Sequence, residues 1–198
     1  MKRNWPRYLL GFLVVALLVG GPFAYSRHRQ AQYRNFRVVE DGKLYRSGQM
    51  SLSALHNTID AYGIRTVISL RYASKDGEKA PDWQEEEFCR NQGIRYIRIR
   101  PREWKADDEG TIPAQEPVDQ FLRTMDDPAV YPVLIHCFAG MHRTGSYCAL
   151  YRMEYQHWNN GEAMQELKDL GYKNLEKEED VQGYLETYRP REKLAKAR

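Results

Sequence analysis

An α/β fold is expected, with a central, mostly parallel sheet of four to five strands flanked by helices and an N-terminal transmembrane helix ahead of it. Three observations carry this expectation. Short apolar runs alternate with helix-like segments, as βαβ units require. One of those runs ends in a cysteine followed by a glycine-bearing loop that opens a helix. From Tyr8 to Ser26 no residue carries a full charge, and Tyr8 to Tyr25 is apolar apart from its glycines and Pro22.

Eighteen helical residues span about 27 Å, close to the ~30 Å hydrocarbon core of a bilayer. Trp5, Tyr8 and Tyr25 stand at the ends of the run, where amphipathic rings favour the interface. Ala24-Tyr25-Ser26 would suit a signal peptidase. The apolar run nevertheless exceeds the ~7–15 residues of a usual signal core, which favours a retained anchor over residues 1–26. Lys2, Arg3 and Arg7 precede the segment, while Arg27, Arg29, Arg34 and Arg37 follow it. Positive charge thus leaves the side of the membrane open. Residues 27–35 read as a juxtamembrane linker, a solvated spacer with the charge to touch anionic lipid. Residues 36–190 read as the folded domain, and 191–198 as a frayed basic tail.

At 198 residues, 42% of them hydrophobic, the chain supplies one core without asking for a second domain. The formal charge of +3 resides in the first seven residues, and the remainder is balanced. A neutral domain argues against nucleic acid as a partner. Cys89, Cys137 and Cys148 form neither a metal-type spacing nor an even disulfide framework. Cys89 and Cys148 fall in helical patterns, where a free cysteine acts as a small hydrophobe.

Phe36–Val39 and Leu44–Ser47 flank Asp41-Gly42, a pair that predicts a type I′ hairpin turn. Ser51 or Ser53 then caps a helix ending near Gly63. The apolar runs Thr66–Leu70, Ile94–Ile99 and Val133–Ile135 are the parallel strands. Helices are expected over Asp82–Gln92 and Pro117–Met125. Tyr147, Tyr151, Tyr155 and Trp158 then recur at helical spacing as a core stripe. Glu162–Leu170 and Glu178–Tyr188 complete the helices. Ligands of a parallel sheet bind beyond the carboxyl ends of its strands. Arg71–Pro81, Arg100–Gln115 and the loop after Cys137 should therefore meet in one cleft.

The decisive stretch is His136-Cys137-Phe138-Ala139-Gly140-Met141-His142-Arg143-Thr144-Gly145. A helix N-terminus presents unpaired N–H groups and partial positive charge, so the loop from Phe138 to Arg143 can encircle a tetrahedral oxyanion and ionise Cys137. Gly140 and Gly145 permit the tight path and close backbone approach. Arg143 can fork two N–H bonds onto phosphate oxygens. The arrangement resembles the signature loop of cysteine-dependent protein tyrosine phosphatases, and Leu44–Gln49 and Gly63–Leu70 resemble the compact dual-specificity branch. The resemblance covers roughly residues 36–170. It implies a phosphatase-like sheet, a cysteinyl-phosphate on Cys137, and a hydrogen bond from Thr144 to the departing sulfur. His136 then braces the loop rather than acting as a base.

A proton donor for the leaving oxygen is sought in Glu103–Pro113. Asp108 looks similar to the acid of the family's mobile loop, although Ala106-Asp107 stands where that family has Trp-Pro. Asp107, Glu109 and Glu103 remain alternatives. No metal or organic cofactor is implied. The expected substrate is a phosphorylated protein, or a phosphorylated small molecule or lipid. Phosphoinositide-directed relatives commonly carry lysine at the position of Met141, which weakens the lipid reading, whereas a membrane segment sustains it. Tyr72, Trp104 and Phe138 are candidate walls for a phosphotyrosine cleft, and Arg71 and Lys75 candidate holders of a second acidic group. A nucleotide P-loop is excluded because no lysine follows Gly145. An arsenate reductase or sulfur transferase, and a non-catalytic binder of phosphoprotein, are the rival classes.

Overall fold

The computed structural model describes residues 5–73, 75 and 77–191. Five strands form one sheet in the order β1-β2-β5-β3-β4. β1 (Arg37–Glu40) runs antiparallel to β2 (Leu44–Gly48). The remaining neighbours, β2 with β5 (Val133–Cys137), β5 with β3 (Thr66–Ser69) and β3 with β4 (Arg95–Arg98), are parallel. Every residue of β5 is buried, as a central strand covered on both faces demands. Gly48 pairs with Cys137 and Ser69 with His136. The thiol therefore emerges at the carboxyl end of the middle strand, where the sequence places the ligand.

Alternation along β5 divides the core. Val133, Ile135 and Cys137 face the larger cluster, with Phe121, Tyr147, Leu150 and Tyr151. Leu134 faces the smaller one, with Tyr45, Leu55, Ile59, Val67 and Cys89. Helices α3 (Leu52–Tyr62) and α4 (Trp83–Asn91) cover the smaller side. Helices α5 (Gln115–Met125), α6 (His142–Gln156), α7 (Asn160–Asp169) and α8 (Glu179–Thr187) cover the larger. Ser51 caps α3, accepting from the Ala54 amide at 3.2 Å, and Gly63 ends it at φ 62°. An Asn159–Glu162 capping box starts α7 two residues ahead of the expected Glu162. Tyr147 and Tyr151 of the aromatic stripe are buried. Trp158, at its end, instead lies under the Arg152 guanidinium.

Three expectations are corrected. The β1–β2 turn is not type I′, because Gly42 has φ 70° while Asp41 is not in the left-handed region, and a register shift between Val38 and Glu40 absorbs the difference. Residues 27–31 are exposed, as a solvated spacer would be, but they continue a helix rather than a loose linker, and residues 32–34 are half-buried. α1 (Trp5–Val15), a π-helical turn (Ala16–Gly20) and α2 (Gly21–Tyr33) form one continuous helix. Tyr33 and Phe36 then pack against the smaller core cluster. The tail is anchored at its start, since Arg191 binds Glu154 at 2.9 Å and Asp126 at 2.9 Å. Residues 192–198, like Lys2 and Arg3 at the other end, lie outside the described residues.

Candidate active site

β5 delivers His136 and Cys137, and α6 begins at His142, so the loop between them must turn within a few residues. Gly140 makes this possible at φ 76°. A Cβ there would lie 2.3 Å from the Gly48 amide nitrogen, and one at Gly48 would lie 2.8 Å from the Ala139 carbonyl carbon. The end of β2 and the loop are thus interlocked backbone to backbone.

Donors outside the loop take its carbonyls. The Gln49 amide binds Phe138 O at 3.1 Å, the Asn35 side chain binds Ala139 O at 2.9 Å, and Arg46 Nη2 binds Gly140 O at 2.7 Å. The Gly145 amide takes Met141 O at 2.8 Å, as the first turn of α6 requires. With the carbonyls so held, the amides are left for the inside, and the Gly140 N–H donates to Cys137 Sγ at 3.2 Å. Burial pushes the Cys137 thiol up, but the Thr144 hydroxyl and the amides of Thr144, Gly140 and Ala139 outweigh it and hold the pKa below that of an ordinary thiol. The Thr144 hydroxyl is fully buried and makes no well-formed hydrogen bond, so it acts on the sulfur as a dipole across a looser contact. Cys89 and Cys148 lack this support, and burial pushes them up to about 12 and about 11.

Arg143 is exposed beside the loop, with Nη1 on the Leu70 carbonyl at 3.2 Å and the guanidinium 6.0 Å from the Tyr72 ring centroid. The leading influences on the thiol are therefore amides and a hydroxyl rather than this guanidinium. Gly145 admits Arg46 and Leu167 rather than a ligand, both 3.4 Å from a Cβ placed there. His142 stacks on Tyr172, centroids 4.5 Å apart.

Behind the loop, His136 Nε2 lies 2.6 Å from Glu85 Oε1 of α4. The N–H is not aligned with that oxygen, so charge rather than a directed hydrogen bond holds the pair. Burial disfavours a charged imidazole, yet Glu85 and the Cys137 carbonyl outweigh it and raise the His136 pKa. The ring is thus buried behind the loop and paired with Glu85 of α4. Asp82, Glu85 and His136 offer a metal-type donor set. Asp82, however, already accepts from Ser69, from Tyr96 at 2.8 Å and from Arg98 at 2.6 Å, and Glu85 is matched to His136.

A cleft of about 730 Å³ opens beside Arg143, lined by Tyr72, Arg100, Arg102, Glu103, Trp104, His142 and Tyr172 among others. Segments following β3 and β4 thus meet the loop after Cys137, as expected. Trp104 packs edge-on against Tyr147 and Tyr184, while Phe138 is 52% exposed, does not line the cleft, and lies beneath the guanidinium groups of Arg34 and Arg71. Asp107 and Asp108 do not line this cleft. Asp107 shapes its own turn, accepting from the amides of Glu109 at 3.0 Å and Thr111 at 2.8 Å. Asp108 is exposed and has no hydrogen bond or ion pair among the described residues. Of the acids considered from sequence, Glu103 is the one the structure brings to the cleft. Lys75 is paired with Glu78 at 4.0 Å on the surface.

Asn35, Arg46 and Glu85 were not singled out by sequence reasoning. Asn35 carried a signal, since asparagine often ends a helix in the left-handed region, and it does so here at φ 59°.

A cysteine thiol ringed by amides, at the carboxyl end of the central strand of such a sheet, defines a cysteine-dependent phosphatase. The chain belongs to the tyrosine phosphatase family, whose model matches residues 32–198. It is 25% identical over 189 residues to the dual specificity protein phosphatase TpbA of Pseudomonas aeruginosa, covering 91% of this chain and 79% of that protein. It is 33% identical over 111 residues to the inositol diphosphatase DSP1 of Oryza sativa subsp. japonica, covering 56% of this chain and 46% of that protein. In structure it is similar to the catalytic core of the PP-IP phosphatase Siw14 of S. cerevisiae, with a TM-score of 0.61 and 22% identity over 80% of this chain and 87% of that one.

Replacing Asn35 by Ala removes the donor to the Ala139 carbonyl, an exposed hydrogen bond of about 0.5–1.5 kcal/mol. Steady-state kinetics of the full chain with p-nitrophenyl phosphate should show kcat/KM lowered by about threefold, and Asn35→Asp, which cannot donate, lowered at least as far. Unchanged kinetics in both variants would remove Asn35 from the support of the loop.

Proposed function

We propose that the protein hydrolyses phosphomonoesters by two displacements at phosphorus, with Cys137 as nucleophile. The observation that carries this reading is a buried thiol held below its ordinary pKa by inward-facing amides, on the loop that leads into α6 and Arg143. The sulfur attacks phosphorus, the ester P–O bond breaks, and Asp108 gives its proton to the leaving oxygen. Water then attacks the cysteinyl-phosphate and yields a proton to the Asp108 carboxylate. The S–P bond breaks, phosphate leaves, and the thiolate is restored.

In this mechanism the amides from Phe138, Ala139, Gly140, Met141 and His142 to Arg143 bind the transferring phosphoryl oxygens, and the Arg143 guanidinium turns from Leu70 to grip two of them. Thr144 steadies the sulfur as it departs, while His136 and Gly145 keep the loop in shape. Asp108 reaches the cleft by an inward swing of the segment between Glu103 and Pro113, in which Gly110, at φ 80°, provides a turn. Its freedom from partners supports it over Asp107, whose carboxylate is committed to the turn.

The preferred substrate is a phosphotyrosine-bearing protein. Tyr72 and Trp104 give the cleft aromatic walls, and TpbA, a relative, is named a dual specificity protein phosphatase. A phosphorylated inositol is the second reading, favoured by Arg100 and Arg102 alongside Arg143 in the same cleft and by the names of Siw14 and DSP1.

The N-terminal helix acts as a membrane anchor in this proposal. Its stretch Leu10–Tyr33 is long and apolar enough to cross a bilayer, and none of its apolar window is buried by the protein. Leu10, Phe12, Leu17, Leu18, Val19 and Phe23 are each more than half exposed. A continuous apolar surface of this kind calls for a covering medium, and lipid supplies one. Residues 1–26 are then the anchor and 36–190 the phosphatase domain, with 27–35 as a helical neck.

Replacing Cys137 by Ser should abolish turnover of p-nitrophenyl phosphate while vanadate binding persists in calorimetry. A serine variant with full activity would overturn the assignment. Replacing Asp108 by Ala should slow an alkyl phosphate by ~10²–10⁴-fold and p-nitrophenyl phosphate far less, because nitrophenolate departs unaided. Equal losses on both substrates would deny Asp108 the role of acid and turn attention to Glu103.

A further inference from the structure

A second cavity, of about 570 Å³, lies at the base of the N-terminal helix and shares no lining residue with the cleft. Arg29, Tyr33, Arg34, Arg37, Asn57 and Tyr62 line it, and no aspartate or glutamate does. None of the three arginines makes an ion pair among the described residues. Arg29 instead lies over Tyr33 at 4.8 Å, and Arg34 over Phe138 at 3.9 Å. Guanidinium groups stacked on rings keep their N–H edges free for an anion.

The position of the cavity says which anion. At 1.5 Å per residue, Arg29 stands about 6 Å beyond Tyr25, the last residue of the apolar stretch. The polar layer of a bilayer is about 5–8 Å deep on each side. Arg29 therefore sits at headgroup depth, in the cavity that Arg34 and Arg37 also line. Donors of the Asn57 amide and the Tyr62 hydroxyl complete a pocket suited to a phosphate diester and its substituents.

Two residues of this cavity, Arg34 and Asn35, touch the phosphate-binding loop at Phe138 and Ala139, and their neighbourhood also meets the end of β2 and the start of α3. Arg34 O accepts from the Gly48 amide at 2.6 Å, Gln32 O from the Ser51 amide at 3.2 Å, and Asn35 holds Ala139 O. An anion seated among the arginines would steady residues 29–37, and with them two of the contacts that shape the loop.

We infer that the base of the N-terminal helix is a binding site for an anionic phospholipid headgroup, and that its occupancy favours the active arrangement of the phosphate-binding loop. The inference rests on insertion of that helix in a membrane. It assigns the lipid a regulatory place outside the cleft, separate from any lipid as substrate.

The test uses the full chain in vesicles of phosphatidylcholine alone, or of phosphatidylcholine with a minority of phosphatidylserine, at fixed physiological salt. Flotation reports insertion, and kcat/KM for p-nitrophenyl phosphate reports the coupling. Phosphatidylserine should raise kcat/KM by about fivefold. Arg29→Gln and Arg37→Gln should each lose most of that gain, and Arg27→Gln, on the same helix outside the cavity, should keep it. Depletion of an anionic substrate at the charged surface acts alike on all four proteins. Equal gains in all of them would mean general surface charge and overturn the inference. Equal activation by soluble polyglutamate without vesicles would overturn it in favour of an acidic peptide. A chain that floats with both vesicles and shows no gain overturns the inference alone. One that floats with neither removes the membrane reading as well.

Discussion

Carbonyls of the loop after Cys137 are held outward by donors from β2, from the end of the N-terminal helix and from α6, and the rest of the site follows from that constraint. A peptide unit whose oxygen is held on one side presents its N–H on the other. Successive units held this way make a ring of donors around the sulfur. Arg46 spends a buried positive charge on this task, meeting Gly140 O at 2.7 Å and Met141 O at 3.4 Å. A charge-assisted hydrogen bond is roughly twice as strong as a neutral one, so a buried arginine in β2 gives the loop a firm outer support. Glycine at 48 and 140 follows from the same contact, because any Cβ would part the two backbones.

The inner ring then sets the chemistry. Burial alone would make Cys137 as inert as Cys148 in the same cluster and Cys89 in the cluster across the sheet. The difference lies in donors rather than in depth. Arg143 is not among the leading influences on the thiol, and its guanidinium rests on the Leu70 carbonyl. The His136–Glu85 pair lies behind the loop on the opposite face of the sheet, where alternation along β5 points the imidazole. Two faces of one strand thus differ: Cys137 meets the amides of the loop and His136 meets α4.

Much of this was legible in the sequence. Alternating apolar runs gave the parallel sheet because strands buried on both faces read as unbroken hydrophobic stretches. The run from His136 to Gly145 gave the loop because residue types, spacing and the strand-to-helix setting agree. The neck at 27–35 was misread because charge density resembles a linker, whereas its helicity depends on Tyr33 and Phe36 finding a core the local sequence does not reveal. Arg46 and Glu85 look like surface charges in sequence, and their burial is decided by partners far along the chain, Gly140 and His136. The position of Asp108, outside the cleft, was not legible either, because the path of the segment between Glu103 and Pro113 is set by contacts that its own sequence does not reveal.

The most direct measurement is the ultraviolet thiolate absorbance of the full chain against pH, taken as the difference from Cys137→Ser. Cys89 and Cys148, pushed up to about 12 and about 11, remain silent near neutrality. A lowered pKa keeps the sulfur ionised until pH falls through it, so the account predicts a midpoint below the ~8.5 of free cysteine. A midpoint at or above ~8.5 would contradict it, since the ring of amides would then be failing to hold an anion.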